Sequence, residues 1–226
     1  MLPKICLRKT MTNKENISKI INLGVAVLAM IAIICISVSV TVMMRPLYYF
    51  DIEYLEIAQK SGISAEACKL NYDTLIDYNL LGGDEELVFP TLKMSETGRI
   101  HFEEVKEIFI SMQVVALVAV LALVCWAVYV KKKGAKKQNC LWMKYTFPVT
   151  IAVAVTVALA MVIDWQWAFT TMHQIFFDND YWIFNPYTDP VIRILPEEFF
   201  FHCGLLIVIL TMVQIAVLRV VYRRLV

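Results

Sequence analysis

The sequence predicts an all-α membrane protein with four transmembrane helices and a small extracellular cap. Three observations lead to this fold class. Of the 226 residues, 59% are hydrophobic and only 18% are charged, whereas a soluble domain is about half apolar and a quarter charged. Four apolar stretches each reach the roughly 20 residues that a helix needs to cross about 30 Å of hydrocarbon. Basic and acidic residues also collect in different segments between those stretches.

The four predicted spans have no charged residue in their middle parts. They cover residues 21–43, 109–130, 145–163 and 200–222. The lack of central charge argues against a proton relay or an ion path through the bilayer centre. The first span is too long for the apolar part of a signal peptide, and no small-residue cleavage site follows it. We therefore expect this span to be retained.

Lysine and arginine counts predict the orientation of these spans. Basic residues are concentrated in the N-terminal segment 1–20, the short loop 131–144 and the C-terminus 223–226. The other two segments, 44–108 and 164–199, contain nineteen of the twenty acidic residues. Because cytoplasmic loops carry the excess of Lys and Arg, we expect both termini in the cytoplasm and the two acidic segments outside.

The first outer segment, residues 44–108, is predicted to fold as a cap on the membrane surface. It carries apolar and aromatic residues throughout and is too short to build a large core of its own. Residues 85–89 are consistent with a short strand before a proline. Ser95 is predicted to be a helix N-cap, with Glu96 in the first turn. Apolar residues then recur at helical spacing, so this helix is expected to continue into the second span.

The second outer segment, residues 164–199, is rich in aromatic rings. Trp165, Phe169, His173 and Phe177 are each four residues apart, so on a helix that continues from the third span they share one face. Three prolines then predict an ordered, non-helical loop. One interpretation of the rings is a belt at the membrane interface. Their concentration on one side of the membrane favours a lined pocket.

All three histidines, His101, His173 and His202, fall in the outer segments or at their edge. Imidazole titrates near pH 6.5, so a pair of histidines at a membrane interface can move protons for a headgroup reaction. The alternatives are interfacial histidines without chemistry and a zinc site. No local spacing supports zinc, and the six cysteines are scattered. We therefore predict no metal.

His101 and His173 are expected to work as a pair. The short loop between the second and third spans predicts that these spans pack as antiparallel neighbours. His101 would then lie about two turns before one span and His173 about two and a half turns after the other. Both imidazoles should face one cavity between the cap and the membrane. Its predicted lining is Trp165, Phe169, Phe177 and Trp182.

Two stretches of the sequence resemble a known family, the bacterial lipoprotein intramolecular transacylases (Lit). The run from His173 to Phe200 follows the pattern His-x3-Phe-x4-Trp-x-Phe-x-Pro-x2-Asp-x2-Ile-x3-Pro-Glu-x-Phe-Phe. The stretch from Ser95 to Lys106 is similar to the family's Glu-x-x-His-x-x-Asp-Val-Lys, with Glu104 where Asp is usual. Four spans and an outer cap also match, so the resemblance covers essentially the whole chain.

The resemblance implies a membrane acyltransferase that acts on lipoproteins. Its substrate would be a diacylglyceryl-cysteine, whose sn-2 acyl chain moves onto the cysteine α-amine to give the lyso-form. The resemblance assigns the general acid and base to His101 and His173, and ranks His202 and Glu96 lower. The predicted substrate-pocket residues are Trp165, Phe169, Phe177, Trp182, Phe184, Asp189, Arg193 and Glu197.

The expected partners are the diacylated lipoprotein and membrane lipids, in a bacterial cell membrane with the active site on the extracellular face. No cofactor is expected, because conversion of an ester to an amide runs downhill. A net charge of +1 predicts no nucleic-acid partner. Two alternatives remain: a non-catalytic scaffold or assembly factor whose outer cap binds a partner, and a metal-dependent lipid or peptide hydrolase.

Overall fold

The computed structural model describes residues 2–132, 134 and 140–225, with side chains from residue 16 onward. Most basic residues predicted for the N-terminal segment, and those at 133, 136 and 137 of the predicted cytoplasmic loop, lie outside these described side chains. Within the described ranges the chain forms nine helices. They are α1 (Leu2–Val42), α2 (Arg45–Tyr54), α3 (Ile57–Ser61), α4 (Ala65–Tyr78), α5 (Glu96–Lys132), α6 (Leu141–Ile163), α7 (Trp165–Phe176), α8 (Val191–Ile194) and α9 (Glu197–Leu225).

Four of these helices are long and apolar enough to cross a membrane: Asn16–Val42 of α1, and the whole of α5, α6 and α9. This confirms the predicted fold class. Helix α5 has 37 residues, which corresponds to about 55 Å at 1.5 Å per residue and exceeds the thickness of the hydrocarbon. Its first turns carry charged residues, and its apolar part begins near Phe109. The turns before Phe109 therefore belong to the cap.

Helix α1 is the centre of the membrane bundle and packs against α5, α6 and α9. Its buried residues Ala26, Ala29 and Ala32 are small, so neighbouring helices can approach closely. The predicted packing of the second span against the third is wrong. Helix α5 packs mainly on α1, and α6 packs on α1 and α9. The short loop between α5 and α6 would allow these two helices to pack as an antiparallel pair. Instead, each of them packs on α1, whose small residues allow close approach.

Polar side chains join the bundle helices to one another. The backbone N–H of Trp142 donates to Oδ1 of Asn22 at 2.9 Å. The hydroxyls of Ser37 and Thr211 lie 3.0 Å apart, and Nε2 of Gln214 donates to the Ser37 hydroxyl at 2.8 Å. These bonds tie α6 and α9 to α1 at positions buried inside the protein.

The cap has its own apolar core, which α2, α4, α8 and the start of α9 share. The ring of Tyr48 stacks on Tyr72 at 3.8 Å, and its hydroxyl donates to the carbonyl of Ile194 at 2.8 Å. The strand expected at residues 85–89 is absent, and no described residue is in a strand. Leu87 and Phe89 are nevertheless buried in this core. The alternation of these buried residues with exposed ones occurs in an irregular segment that packs on the helices of the cap. No strand is assigned among the described residues beside it, so no sheet forms there.

Candidate active site

Helix α5 carries His101 in its second turn, and its first turn is fixed by the loop before α8. The buried carboxylate of Asp189 accepts a hydrogen bond from the Ser95 backbone N–H at 2.7 Å. Ser95 in turn caps the helix, because its hydroxyl accepts from the N–H of Gly98 at 3.1 Å. A Cβ atom at Gly98 would lie 2.3 Å from Oδ1 of Asp189, so the close approach requires glycine. These contacts therefore fix the position of His101 along the axis of α5.

His173 is positioned by a break between α6 and α7. Asp164 has an extended backbone, ends α6, and caps α7 by accepting from the N–H of Trp167 at 2.9 Å. The expected continuous helix is thus two helices. On α7, Nδ1 of His173 bonds the carbonyl oxygen of Phe169 at 2.8 Å. Because a carbonyl only accepts, Nδ1 carries the proton, and Nε2 is the acceptor in the neutral ring.

The structure brings the two imidazoles together. Their ring centroids are 6.2 Å apart with an interplanar angle of 31°. Phe177 contacts both rings, at 4.7 Å from His101 and 5.7 Å from His173. Trp182 stacks on His173 at 4.7 Å, and Phe184 contacts His101 edge-on at 5.3 Å. The pair is therefore enclosed by aromatic rings from α7 and the loop that follows it.

Burial sets the protonation state of this pair. His101 is only 5% exposed to solvent. Its Nδ1 has no hydrogen-bond partner among the described residues. Burial, and then the charge of His173, lower the pKa of His101 below its usual value. Burial also lowers the pKa of His173, against the opposing effect of its bond to Phe169. Both rings are consequently neutral at pH 7 and can accept a proton.

The remaining predicted site residues lie around this cluster or away from it. Phe169 contacts His173 at 4.2 Å and Trp165 at 5.6 Å. Arg193 is exposed and lies over the ring of Tyr187. Glu96 is exposed and pairs with Arg99, and Glu197 is exposed at a second cleft. Asp189 holds the start of α5, as described above.

His202 has a different partner. Its Nδ1 lies 2.9 Å from each carboxylate oxygen of Asp51, a residue that is completely buried. The imidazole lines a cleft of about 450 Å³ together with Tyr54, Trp165 and Phe201. Sequence reasoning missed Asp51, which is 151 positions from His202. A single acid within the apolar run at 47–52 was the available signal.

Glu104, a departure from the sequence motif, follows His101 by three residues on α5, a spacing at which side chains are neighbours on a helix. Its Oε1 accepts a hydrogen bond from Nδ2 of Asn179 at 2.8 Å. It lines a cleft of about 480 Å³ with Phe177 and Asp178. Within the described part of the chain, no three His, Cys, Asp or Glu side chains converge as metal ligands would.

Four apolar helices, an outer cap and a pair of adjacent imidazoles enclosed by aromatic rings define a membrane protein whose site can transfer protons. The comparisons with known proteins are more specific. The family model described as "Lipoprotein intramolecular transacylase Lit" matches residues 23–200. The chain therefore belongs to the Lit family and is a membrane acyltransferase, as the two sequence motifs predicted.

Solved structures agree with this assignment. The membrane-integral lipoprotein intramolecular transacylase Lit from Bacillus cereus is 32% identical, with a TM-score of 0.86 over 93% of this chain and 96% of that one. Two variants of the Bacillus cereus protein, with one histidine replaced by arginine or by alanine, are 31% identical. Their TM-scores are 0.84 and 0.83, over 96% of both chains. No curated protein matched the chain.

Proposed function

We propose that this enzyme moves the sn-2 acyl chain of a diacylglyceryl-cysteine lipoprotein onto the cysteine α-amine of the same molecule. His101 and His173 would serve as its general acid–base pair. The observation that carries this proposal is the placement of the two imidazoles, 6.2 Å apart inside an aromatic enclosure. Family membership supplies the reaction class, and the geometry supports the assignment of these two residues.

The chemistry needs a base first. The α-amine is an ammonium at neutral pH, and it must lose a proton before its nitrogen lone pair can attack the ester carbonyl. A carbon–nitrogen bond then forms, and the bond from that carbon to the glyceryl oxygen breaks. The nitrogen loses a second proton, the glyceryl oxygen gains one, and one proton leaves to solvent overall. The products are an amide and an alcohol.

Two neighbouring neutral histidines suit this sequence of proton transfers. The imidazole that accepts the ammonium proton becomes an imidazolium, which can donate to the departing alkoxide. His173 has its Nδ1 bonded to Phe169, so its Nε2 remains available for the reaction. The mutual repulsion between the two rings disfavours double protonation. One ring can therefore act as base while the other stays neutral.

The aromatic enclosure serves the intramolecular character of the reaction. Nucleophile and ester belong to one substrate, so the enzyme must hold two ends of a flexible molecule together. Such restraint can lower a barrier by roughly 7–11 kcal/mol. Rings such as Phe177, Trp182 and Phe184 also keep water away from the ester, which water would otherwise hydrolyse.

The decisive experiment is mass spectrometry of lipoprotein N-termini from a bacterial strain that makes diacylated lipoproteins, with and without this protein. We expect the protein to convert the diacyl form to one with an N-acyl group and a single glyceryl ester. Unchanged acylation in cells that contain the inserted protein would refute the proposed function.

The proposed orientation places both termini in the cytoplasm and the histidine pair on the extracellular face of the cell membrane. A cysteine at Gly134 should react poorly with an impermeant maleimide added to intact cells. A cysteine at Glu86, which is exposed in the cap, should react well. Labelling of the unsubstituted chain provides the background. Strong labelling at Gly134 in intact cells would reverse the orientation.

A further inference from the structure

The two oxygens of the Glu104 carboxylate have different surroundings. Oε1 accepts from Nδ2 of Asn179, and Asn179 is itself held because its Oδ1 accepts from the N–H of Tyr181 at 2.9 Å. Oε2 is buried and has no hydrogen-bond partner in the described part of the protein. A buried carboxylate oxygen without a donor is energetically costly. This oxygen is therefore available to accept a hydrogen bond from a ligand.

Glu104 adjoins the histidine pair along α5. It follows His101 by three residues, and side chains at this spacing are neighbours on a helix, with Cβ atoms about 5–6 Å apart. His101 is almost completely buried, and its Nδ1 also lacks a partner among the described residues. Phe177 contacts the His101 ring at 4.7 Å and lines the cleft with Glu104. The side chains of Glu104 and His101, each with one polar atom that has no partner in the described structure, thus both lie near the ring of Phe177.

The cleft beside Glu104 has a negative character. Its lining includes the carboxylates of Glu104, Glu107 and Asp178, and no lysine or arginine is among the lining residues described. A cleft lined by charge of one sign raises the local concentration of ligands of the opposite sign. The cleft therefore favours a cationic group and disfavours an anionic one.

We propose that Glu104 binds the α-ammonium group of the substrate's N-terminal cysteine and holds it beside His101. This inference rests on the proposed function, which makes that group the nucleophile. An ammonium has three N–H donors, so one such group can donate both to a carboxylate oxygen and to an imidazole nitrogen. The carboxylate binds the amine in its protonated form, and the neutral imidazole next to it accepts the proton. Asn179 is a positioning residue that fixes the carboxylate through Oε1.

The test separates binding from chemistry with a probe that cannot react. The probe is a synthetic dialkylglyceryl-cysteinyl peptide, in which ether links replace both glyceryl esters. It is made with a free α-amine and with an acetylated α-amine. Each version is assayed as an inhibitor of the purified full-length enzyme acting on a diacylglyceryl-cysteinyl peptide. The ratio of the two inhibition constants measures the recognition of the ammonium group.

The wild-type enzyme should bind the free-amine probe more tightly than the acetylated one. In Glu104→Gln this preference should fall by about 10- to 100-fold, because a charge-assisted hydrogen bond becomes a neutral one. Glu104→Asp, which keeps the charge, should retain most of the preference. The matched control is Glu103→Gln, one residue away and paired with Arg99 on the same helix, which should leave the ratio within about twofold.

Failure of this proposal is distinct from failure of the proposed function. An active wild-type enzyme with no preference for the free amine, or a Glu104→Gln enzyme that keeps the preference, would overturn the role of Glu104 alone. A wild-type enzyme that transfers no acyl chain would remove the function on which it rests. Equal losses in the Glu104→Gln and Glu103→Gln enzymes would also overturn the proposal, because they would indicate a general effect of charge.

Discussion

The three histidines of this protein occupy two contrasting settings. His101 and His173 face each other inside aromatic rings, with no carboxylate bonded to either imidazole in the described structure. His202 is instead bonded through Nδ1 to the buried carboxylate of Asp51 and so joins α9 to α2. A histidine held by a carboxylate is fixed in position. A histidine enclosed by rings stays neutral and is ready to accept a proton.

This difference fits the proposal that His101 and His173 serve the chemistry, and it favours a role in the fold for His202. A reaction that begins with removal of a proton from an ammonium needs a neutral base. Substitutions at the three histidines test this division.

Replacement of either member of the pair should abolish transfer. We expect His101→Ala and His173→Ala each to lower kcat by about 10²- to 10⁴-fold, the usual contribution of a general acid–base group. The double variant should be little worse than either single one, because groups that act as a unit lose most of their effect at the first deletion. The measurement is turnover of a diacylglyceryl-cysteinyl peptide by purified protein. Near-normal turnover in either single variant would remove that residue from the catalytic pair.

The pH dependence should report the neutral pair. Burial lowers the pKa of both imidazoles below the usual 6.5. A base whose pKa is lowered remains active until the pH falls below that lowered value, so the acid limb of kcat/KM should lie below pH 6.5. A profile of initial rates between pH 5 and 8 in one buffer series provides the measurement. An acid limb above pH 6.5 would mean that the pair is charged at neutral pH.

The link from His202 to Asp51 should matter for stability more than for chemistry. His202→Ala leaves a buried carboxylate without its partner, which costs about 1–3 kcal/mol. The midpoint of thermal unfolding should fall, while turnover per folded molecule stays within about fivefold of the wild type. A loss of turnover as large as in His101→Ala would place His202 in the catalytic machinery.

A second substitution, at Asp51, provides the control for the bond between His202 and Asp51. Asp51→Asn removes the buried charge that His202→Ala leaves unpaired, so the double variant should be more stable than His202→Ala alone. Additive losses in the two variants would mean that the residues stabilise the protein through separate contacts.

Some of this architecture could be predicted from the sequence. The four spans followed from length and hydropathy, which depend on the chain alone. The proximity of His101 and His173 was predicted, but from packing of the second span on the third that the structure does not have. In the structure, α7 brings His173 to His101 after the break at Asp164. An aspartate between two apolar helical stretches is compatible with a turn, a cap or a polar face, so the sequence did not predict the break.

The contacts that sequence reasoning missed are those between distant segments. Asp51 and His202 are separated by 151 positions, and Glu104 and Asn179 by 75. Helical periodicity relates residues only within one helix. The choice between α1 and α6 as the neighbour of α5 was likewise decided by the small residues of α1, whose partners a single sequence does not identify.

The N-terminal cap of α7, formed by Asp164, helps to position His173, and its removal should have a mild effect. Asp164→Ala removes the side chain that accepts from the N–H of Trp167, at a cost of about 0.5–2 kcal/mol. Ser64→Ala is the matched control, because Ser64 caps α4 in the same way, through the N–H of Ala67 at 3.2 Å. Both variants should lower the unfolding midpoint by similar amounts.

Only Asp164→Ala should also lower kcat, because α7 carries His173 and α4 carries no member of the pair. The loss should stay below the roughly 10²-fold that a displacement of about 1 Å can cause. Turnover of the two purified variants, measured well below their unfolding midpoints, separates positioning from stability. Equal turnover in both would mean that the rings around His173, rather than the cap of α7, hold the imidazole in register with His101.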